Sequence, residues 1–171
     1  MLTFVIYLFI GVFAGISAGL FGVGGGLVVV PALILCFSLL EVSPLVLTQL
    51  AIGTSLATIV ITSISSTRTH HLHGNVLWPL FWTLSPGIIL GVWFGAKATS
   101  IMTGNSLQLI FGAFVLLVSI QMGLGLKPKP SRQLPAKPLL SIIGGVIGSI
   151  SALLGIGGGS LTVPYLSLIH I

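Results

Sequence analysis

Two glycine clusters, Gly22-Val23-Gly24-Gly25-Gly26 and Gly155-Ile156-Gly157-Gly158-Gly159, stand inside long apolar stretches of this chain. They match at an offset of 133 residues, and the match extends outward. Gly11, Gly15, Leu20, Val30, Pro31 and Leu33 are answered by Gly144, Gly148, Leu153, Val163, Pro164 and Leu166. Glycine admits backbone angles that other residues avoid, so three in succession predict a break in a helix. In hydrocarbon every freed amide and carbonyl needs a partner, and such a break persists only against protein or water. A helix restarting at Gly26 or Leu27 turns unpaired N–H groups and the positive end of its dipole towards the break, which suits an anion. Gly159 and Ser160 repeat this arrangement in the second copy. The candidate anion-binding residues are therefore Gly22, Gly24, Gly25, Gly26, Gly155, Gly157, Gly158, Gly159 and Ser160. The competing reading is close helix packing through small residues, and for the GxxxG steps Gly11–Gly15 and Gly15–Gly19 it is the favoured one.

A second constellation, Thr48-Gln49-Leu50-Ala51-Ile52-Gly53-Thr54-Ser55, sets an amide and hydroxyls in an otherwise apolar span. Gln49, Gly53, Thr54 and Ser55 could hydrogen-bond an oxyanion without a fixed charge. Side chains of these types also bond neighbouring helices, and both readings stand. His70, His71 and His73 have no accompanying acid or cysteine, and they read as a solvated loop rather than a metal site. Glu41 is the one acidic residue, placed at the mouth of a span. Cys36 is the one cysteine and reads as an apolar filler. No nucleophile–base pair or paired carboxylate exists, so the chain is not read as an enzyme. No cofactor or metal is expected.

These residues must be positioned by membrane helices. Of 171 residues, 55% are hydrophobic and 4% charged, and mean hydropathy is +1.23; a soluble domain carries about 25% charged residues. Spans of roughly 20 apolar residues are expected at about 3–20 plus 27–40, 45–66, 76–95 and 104–124, and a further helix over 139–154. The fold class is all-α: a polytopic helical membrane protein with two homologous halves and glycine-broken helices. The first repeat is assigned to 1–125, a proline-rich linker to 126–138, and the start of the second repeat to 139–171. The second repeat stops seven residues after Pro164, which reads as a truncated half. The linker holds four of the six Lys and Arg residues, Lys127, Lys129, Arg132 and Lys137, which places it in the cytoplasm. Counting back two spans puts the loop 67–73, with Arg68, on the same side and leaves Lys97 as the exception. If residues 3–40 form a hairpin the repeat is inverted; if they cross once it is parallel. The inverted reading is favoured. The net charge of +5 comes without a basic stripe and interleaved aromatics, so nucleic acid is excluded as a partner. The partners expected are a small inorganic or organic anion and the lipid bilayer of a cell (inner or plasma) membrane. Assembly into a homo-oligomer is left open.

Gly11–Pro31 with its GVGGG core, Ala51-Ile52-Gly53-Thr54-Ser55-Leu56, the stretch His73–Val76, and Leu154–Gly159 with Val163-Pro164 resemble the TauE/SafE sulfite-exporter family. The resemblance covers about residues 5 to 166. It implies an eight-span protein of two homologous halves that moves sulfur-containing anions such as sulfite and organosulfonates. The motif residues it carries over are Gly22, Gly24, Gly25, Gly26, Gly53, Thr54, Ser55, Gly155, Gly157, Gly158 and Gly159. The function expected is a permease, an exporter of small anions by secondary transport; an anion channel or a structural membrane fragment is the alternative.

Overall fold

The structure, a computed structural model, describes residues 2–21, 25–74, 76–124 and 137–159. Among these, six helices follow one another: α1 (Leu2–Phe21), α2 (Gly26–Leu39), α3 (Pro44–Leu72), α4 (Trp78–Ile101), α5 (Gly104–Gly123) and α6 (Lys137–Leu154). Three stretches are long and apolar enough to cross a membrane: Pro44–Leu72, Trp78–Ile101 and Gly104–Gln121. The chain is an all-α helical membrane protein.

Local chemistry sets the helix ends. At the close of α2, Leu40 is followed by Glu41 at φ 56°, and Val42 N–H reaches back to Phe37 O at 3.0 Å. That pairing satisfies a terminal carbonyl through one left-handed residue, a place glycine usually takes. The chain's one carboxylate is therefore used at an exposed turn, after which Pro44 opens α3 with a φ already suited to a helix. α3 continues to Leu72 and stops only where Gly74 adopts φ 71°. Residues 67–72, expected as a loop, are thus the final turns of α3. At 29 residues the helix is about 44 Å long, more than the ~30 Å hydrocarbon core.

The α2 helix is shorter, and its 14 residues give about 21 Å, too little to cross that core. Tyr7 of α1 packs on the cluster of Leu33, Phe37, Leu47 and Ala51. If α1 and α2 continued in line, Tyr7 and Phe37 would stand about 45 Å apart by helical rise. The two helices instead lie side by side and antiparallel.

The closest interface joins α4 to α6. Gly87, Gly91 and Gly95 recur at four-residue spacing and are buried against Ser141, Gly145 and Ser149. A Cβ on Gly87 would meet the Ser141 carbonyl, and one on Gly91 the carbonyl of Gly145. From the other side, a Cβ on Gly144 would come 2.7 Å from Leu84 O and one on Gly148 2.5 Å from Ile88 O. Backbones this close gain van der Waals contact where lipid supplies no hydrophobic drive. Hydroxyls add to it: Ser141 Oγ donates to Thr83 O at 2.8 Å and Ser149 Oγ to Gly91 O at 3.0 Å. By contrast, the GxxxG step Gly11–Gly15, expected to pack a helix, is exposed. A Cβ on either of its glycines would meet no atom within 4 Å among the described residues. The sequence marks small-residue steps on both helices, but only α4 has a partner face of equal smallness.

Aromatic residues gather towards the two ends of α4. His71, Trp78, Phe81 and Trp82 form a chain of edge-to-face contacts at its start. Near its end Lys97 Nζ lies 4.3 Å from the centre of the Trp93 ring. Trp78 and Lys97 are about 29 Å apart by helical rise, the thickness of a hydrocarbon core. Trp and Lys at such positions anchor a helix at the membrane–water interfaces.

Candidate functional site

The two glycine clusters meet. A Cβ on Gly26 would strike the Ile156 backbone, so the start of α2 and the segment after α6 cross with nothing between them but main chain. Gly155 and Gly157 hold φ 68° and 69°, conformations that cost an L-residue with a side chain about 1–2 kcal/mol. The chain leaves α6 with Gly155 N–H still bonded to Ser151 O at 2.9 Å, then turns away through these two residues. Ile156, between them, is buried with Val30, Ile52, Leu107, Phe111 and Leu154, so one apolar cluster holds α2, α3, α5 and the end of α6 around the crossing.

Ser55 of α3 completes it. Its side chain is fully buried, and Oγ donates to Gly155 O at 2.7 Å. A carbonyl freed by the end of α6 thereby gains the partner that its apolar surroundings demand. The approach is close enough that a Cβ on Gly155 would come 3.1 Å from Ile52 Cα.

Beside the crossing lies a cavity of about 910 Å³. Its wall brings together Gly25 from the first cluster, Thr54 from α3, and Gly157, Gly158 and Gly159 from the second cluster. Gly11 and Gly15 of α1 also border it. No charged side chain lines it among the described residues. At Gly25 the α2 helix begins, and Gly25 O already accepts from Val28 and Val29 N–H at 3.1 and 2.9 Å. A helix start presents amides without intrahelical acceptors and the positive end of the dipole.

The other expected residues divide. Gly26, Ser55 and Gly155 build the crossing and do not border the cavity. Gln49 faces elsewhere: its Nε2 donates to Met102 O at 3.1 Å, while Oε1 is buried without a protein partner among the described residues. With Gln108 Nε2 donating to Thr48 Oγ1 at 2.8 Å, it ties the first turns of α3 to α5 and the turn before it. Gly53 is exposed, and a Cβ there would meet nothing within 4 Å among the described residues. Gly22, Gly24 and Ser160 lie outside the described residues.

The cavity also has a wall beyond the residues expected from sequence. Thr58, Thr62, Ser63 and Ser66 continue from Thr54 along α3 and line it. A signal for it exists in the chain: Thr54, Thr58, Thr62 and Ser66 recur every fourth residue, which sets them on one helix face.

The sulfite exporter TauE/SafE family model matches residues 7–170. A probable membrane transporter protein of Haemophilus influenzae is 40% identical over 98% of this chain and 64% of its own length. Another, from Bacillus subtilis, is 30% identical over 99% of this chain and 69% of its own. A third, from Methanocaldococcus jannaschii, is 28% identical over 98% and 63%. The chain thus spans about two thirds of the relatives it matches. No solved structure matches it. Glycine-broken helices meeting beside a cavity, in a chain matched over nearly its whole length, have one reading: the chain belongs to the sulfite exporter TauE/SafE family of membrane transporters.

Proposed function

We propose that this chain is a multi-pass permease of the cell membrane that exports a small sulfur-containing anion, sulfite or an organosulfonate, by secondary transport. The observation that carries the reading is the cavity walled by Gly25, Thr54 and Gly157–Gly159. Backbone amides can replace part of an anion's hydration shell there, and the start of α2 adds a favourable potential. The nearest thing to a competing charge is Glu41, which lies at the α2–α3 turn and borders none of the cavities described. Discontinuous helices whose N-termini point at an anionic group are a recurring arrangement in secondary transporters. The absence of intramembrane carboxylates in the sequence suits an anion path and disfavours a cation site. Nothing in the chain's residues calls for an enzymatic role.

The test is flux of radiolabelled sulfite in proteoliposomes containing the chain. Saturable uptake with counterflow exchange is the expected outcome. Voltage-driven current that does not saturate would replace the carrier with a channel, and no flux of either kind would leave a non-transporting membrane protein.

A further inference from the structure

We infer that Arg68, with Thr67, forms an anion-capture site near the end of α3, joined to the main cavity through Ser63. This rests on the reading of the chain as an anion permease. A second cavity of about 370 Å³ is bordered by Ser63, Ile64, Thr67, Arg68, His71 and Trp78. Ser63 borders both this cavity and the larger one, so the two are adjacent along one helix. From Thr54 to Arg68 the track is about 21 Å long by helical rise. It leads from the glycine crossing to the aromatic group of His71, Trp78, Phe81 and Trp82, which marks an interface.

The hydroxyls along the track are not equivalent. Thr54 Oγ1 donates to Leu50 O at 2.8 Å, Thr58 Oγ1 to Ser55 O at 2.7 Å, and Ser63 Oγ to Val60 O at 2.9 Å. Thr62 Oγ1 is likewise turned onto its own helix, at 3.2 Å from Thr58 O and 3.1 Å from Ile59 O. A hydroxyl whose one proton is committed in this way offers only lone pairs, which repel an anion. Ser66 and Thr67 are exposed and have no such bond among the described residues, so their protons are free to be donated. They immediately precede Arg68, which is exposed and forms no ion pair among the described residues. Arg68 is also the one fixed cation bordering either cavity among the described residues, since Lys97 lies over Trp93. The Arg68 guanidinium and the uncommitted Thr67 hydroxyl, both bordering the second cavity, are donors for a tetrahedral or pyramidal oxyanion, whereas Ser66 borders the larger cavity on the other side of the helix. The inner hydroxyls, already bonded, let it pass without holding it.

The experiment is equilibrium binding of sulfite and of methanesulfonate, by calorimetry, to the chain in nanodiscs, with flux measured in parallel. Arg68→Gln is expected to weaken binding about tenfold or more, as loss of a charge-assisted contact does. Arg68→Lys should keep most of it, and Thr67→Val should give a smaller loss. Added chloride should weaken binding to the unaltered chain and have little further effect on Arg68→Gln. Unchanged affinity in Arg68→Gln, or no binding by the unaltered chain, overturns the capture site. Binding that depends on Arg68 in a chain showing no flux would sink the permease reading and leave the capture site standing.

Discussion

Ser55 Oγ donates to Gly155 O at 2.7 Å, joining residues one hundred positions apart in the sequence. The bond ties the middle of α3 to the point where α6 ends. It places Thr54, the preceding residue, beside the cavity that Gly157–Gly159 also wall. Ser55→Ala should leave a buried carbonyl unpaired, at a cost of about 1–2 kcal/mol. A lower thermal midpoint in detergent, with reduced sulfite flux, is the expected result. An unchanged midpoint would mean that the bond contributes nothing to holding the crossing together.

Gly155→Ala acts on the same junction by a different route. The substitution forces a side chain onto φ 68° and brings Cβ to 3.1 Å from Ile52 Cα. The strain should lower stability by about 1–3 kcal/mol. Gly53→Ala is its control, because Gly53 is exposed and helical, and a Cβ there meets nothing within 4 Å among the described residues. It should be neutral or slightly stabilising, since alanine is the better helix former by about 1 kcal/mol. Melting curves of the two variants side by side decide between strain and mere loss of glycine.

Gly25→Leu separates transport from folding. Gly25 borders the cavity, and a Cβ there meets nothing within 4 Å among the described residues. A leucine should therefore occupy the cavity without disturbing a helix contact. Normal insertion and thermal midpoint, with loss of sulfite flux, are expected. Full flux in a well-inserted Gly25→Leu protein would remove this cavity from the pathway.

The α4–α6 interface predicts a failure of assembly instead. A side chain on Gly91 meets the Gly145 carbonyl, and neither backbone can yield without moving its helix. Gly91→Val should destabilise by about 1–3 kcal/mol, the usual cost of overpacking, and Gly91→Ala by less. Gly112→Ala on α5, where a Cβ would meet nothing within 4 Å among the described residues, should have no such effect. Melting curves of the three variants would report whether the two helices still pair.

Much of the architecture is legible in the chain because hydrophobicity and glycine are local signals. Membrane helices follow from 55% hydrophobic and 4% charged residues, and the break before α2 follows from three consecutive glycines. The end of α3 is not legible in the same way, because Arg68 and the histidines look like a loop. Helical hydrogen bonds tolerate polar side chains, and the stop comes only at Gly74. Small-residue spacing cannot say which GxxxG steps pack, since that depends on the opposing face. Gly11 and Gly15 border a cavity, whereas Gly87, Gly91 and Gly95 meet another glycine-rich helix.

The sequence by itself determined the kind of protein, the helix breaks and the family resemblance, because each resides in residue type and short-range spacing. Only the tertiary structure decided that Gly26 touches Ile156, that Ser55 bonds Gly155, and that Gln49 bonds Met102. Those outcomes depend on how helices distant in sequence cross and rotate against one another. A buried polar group takes whichever partner that crossing brings within reach.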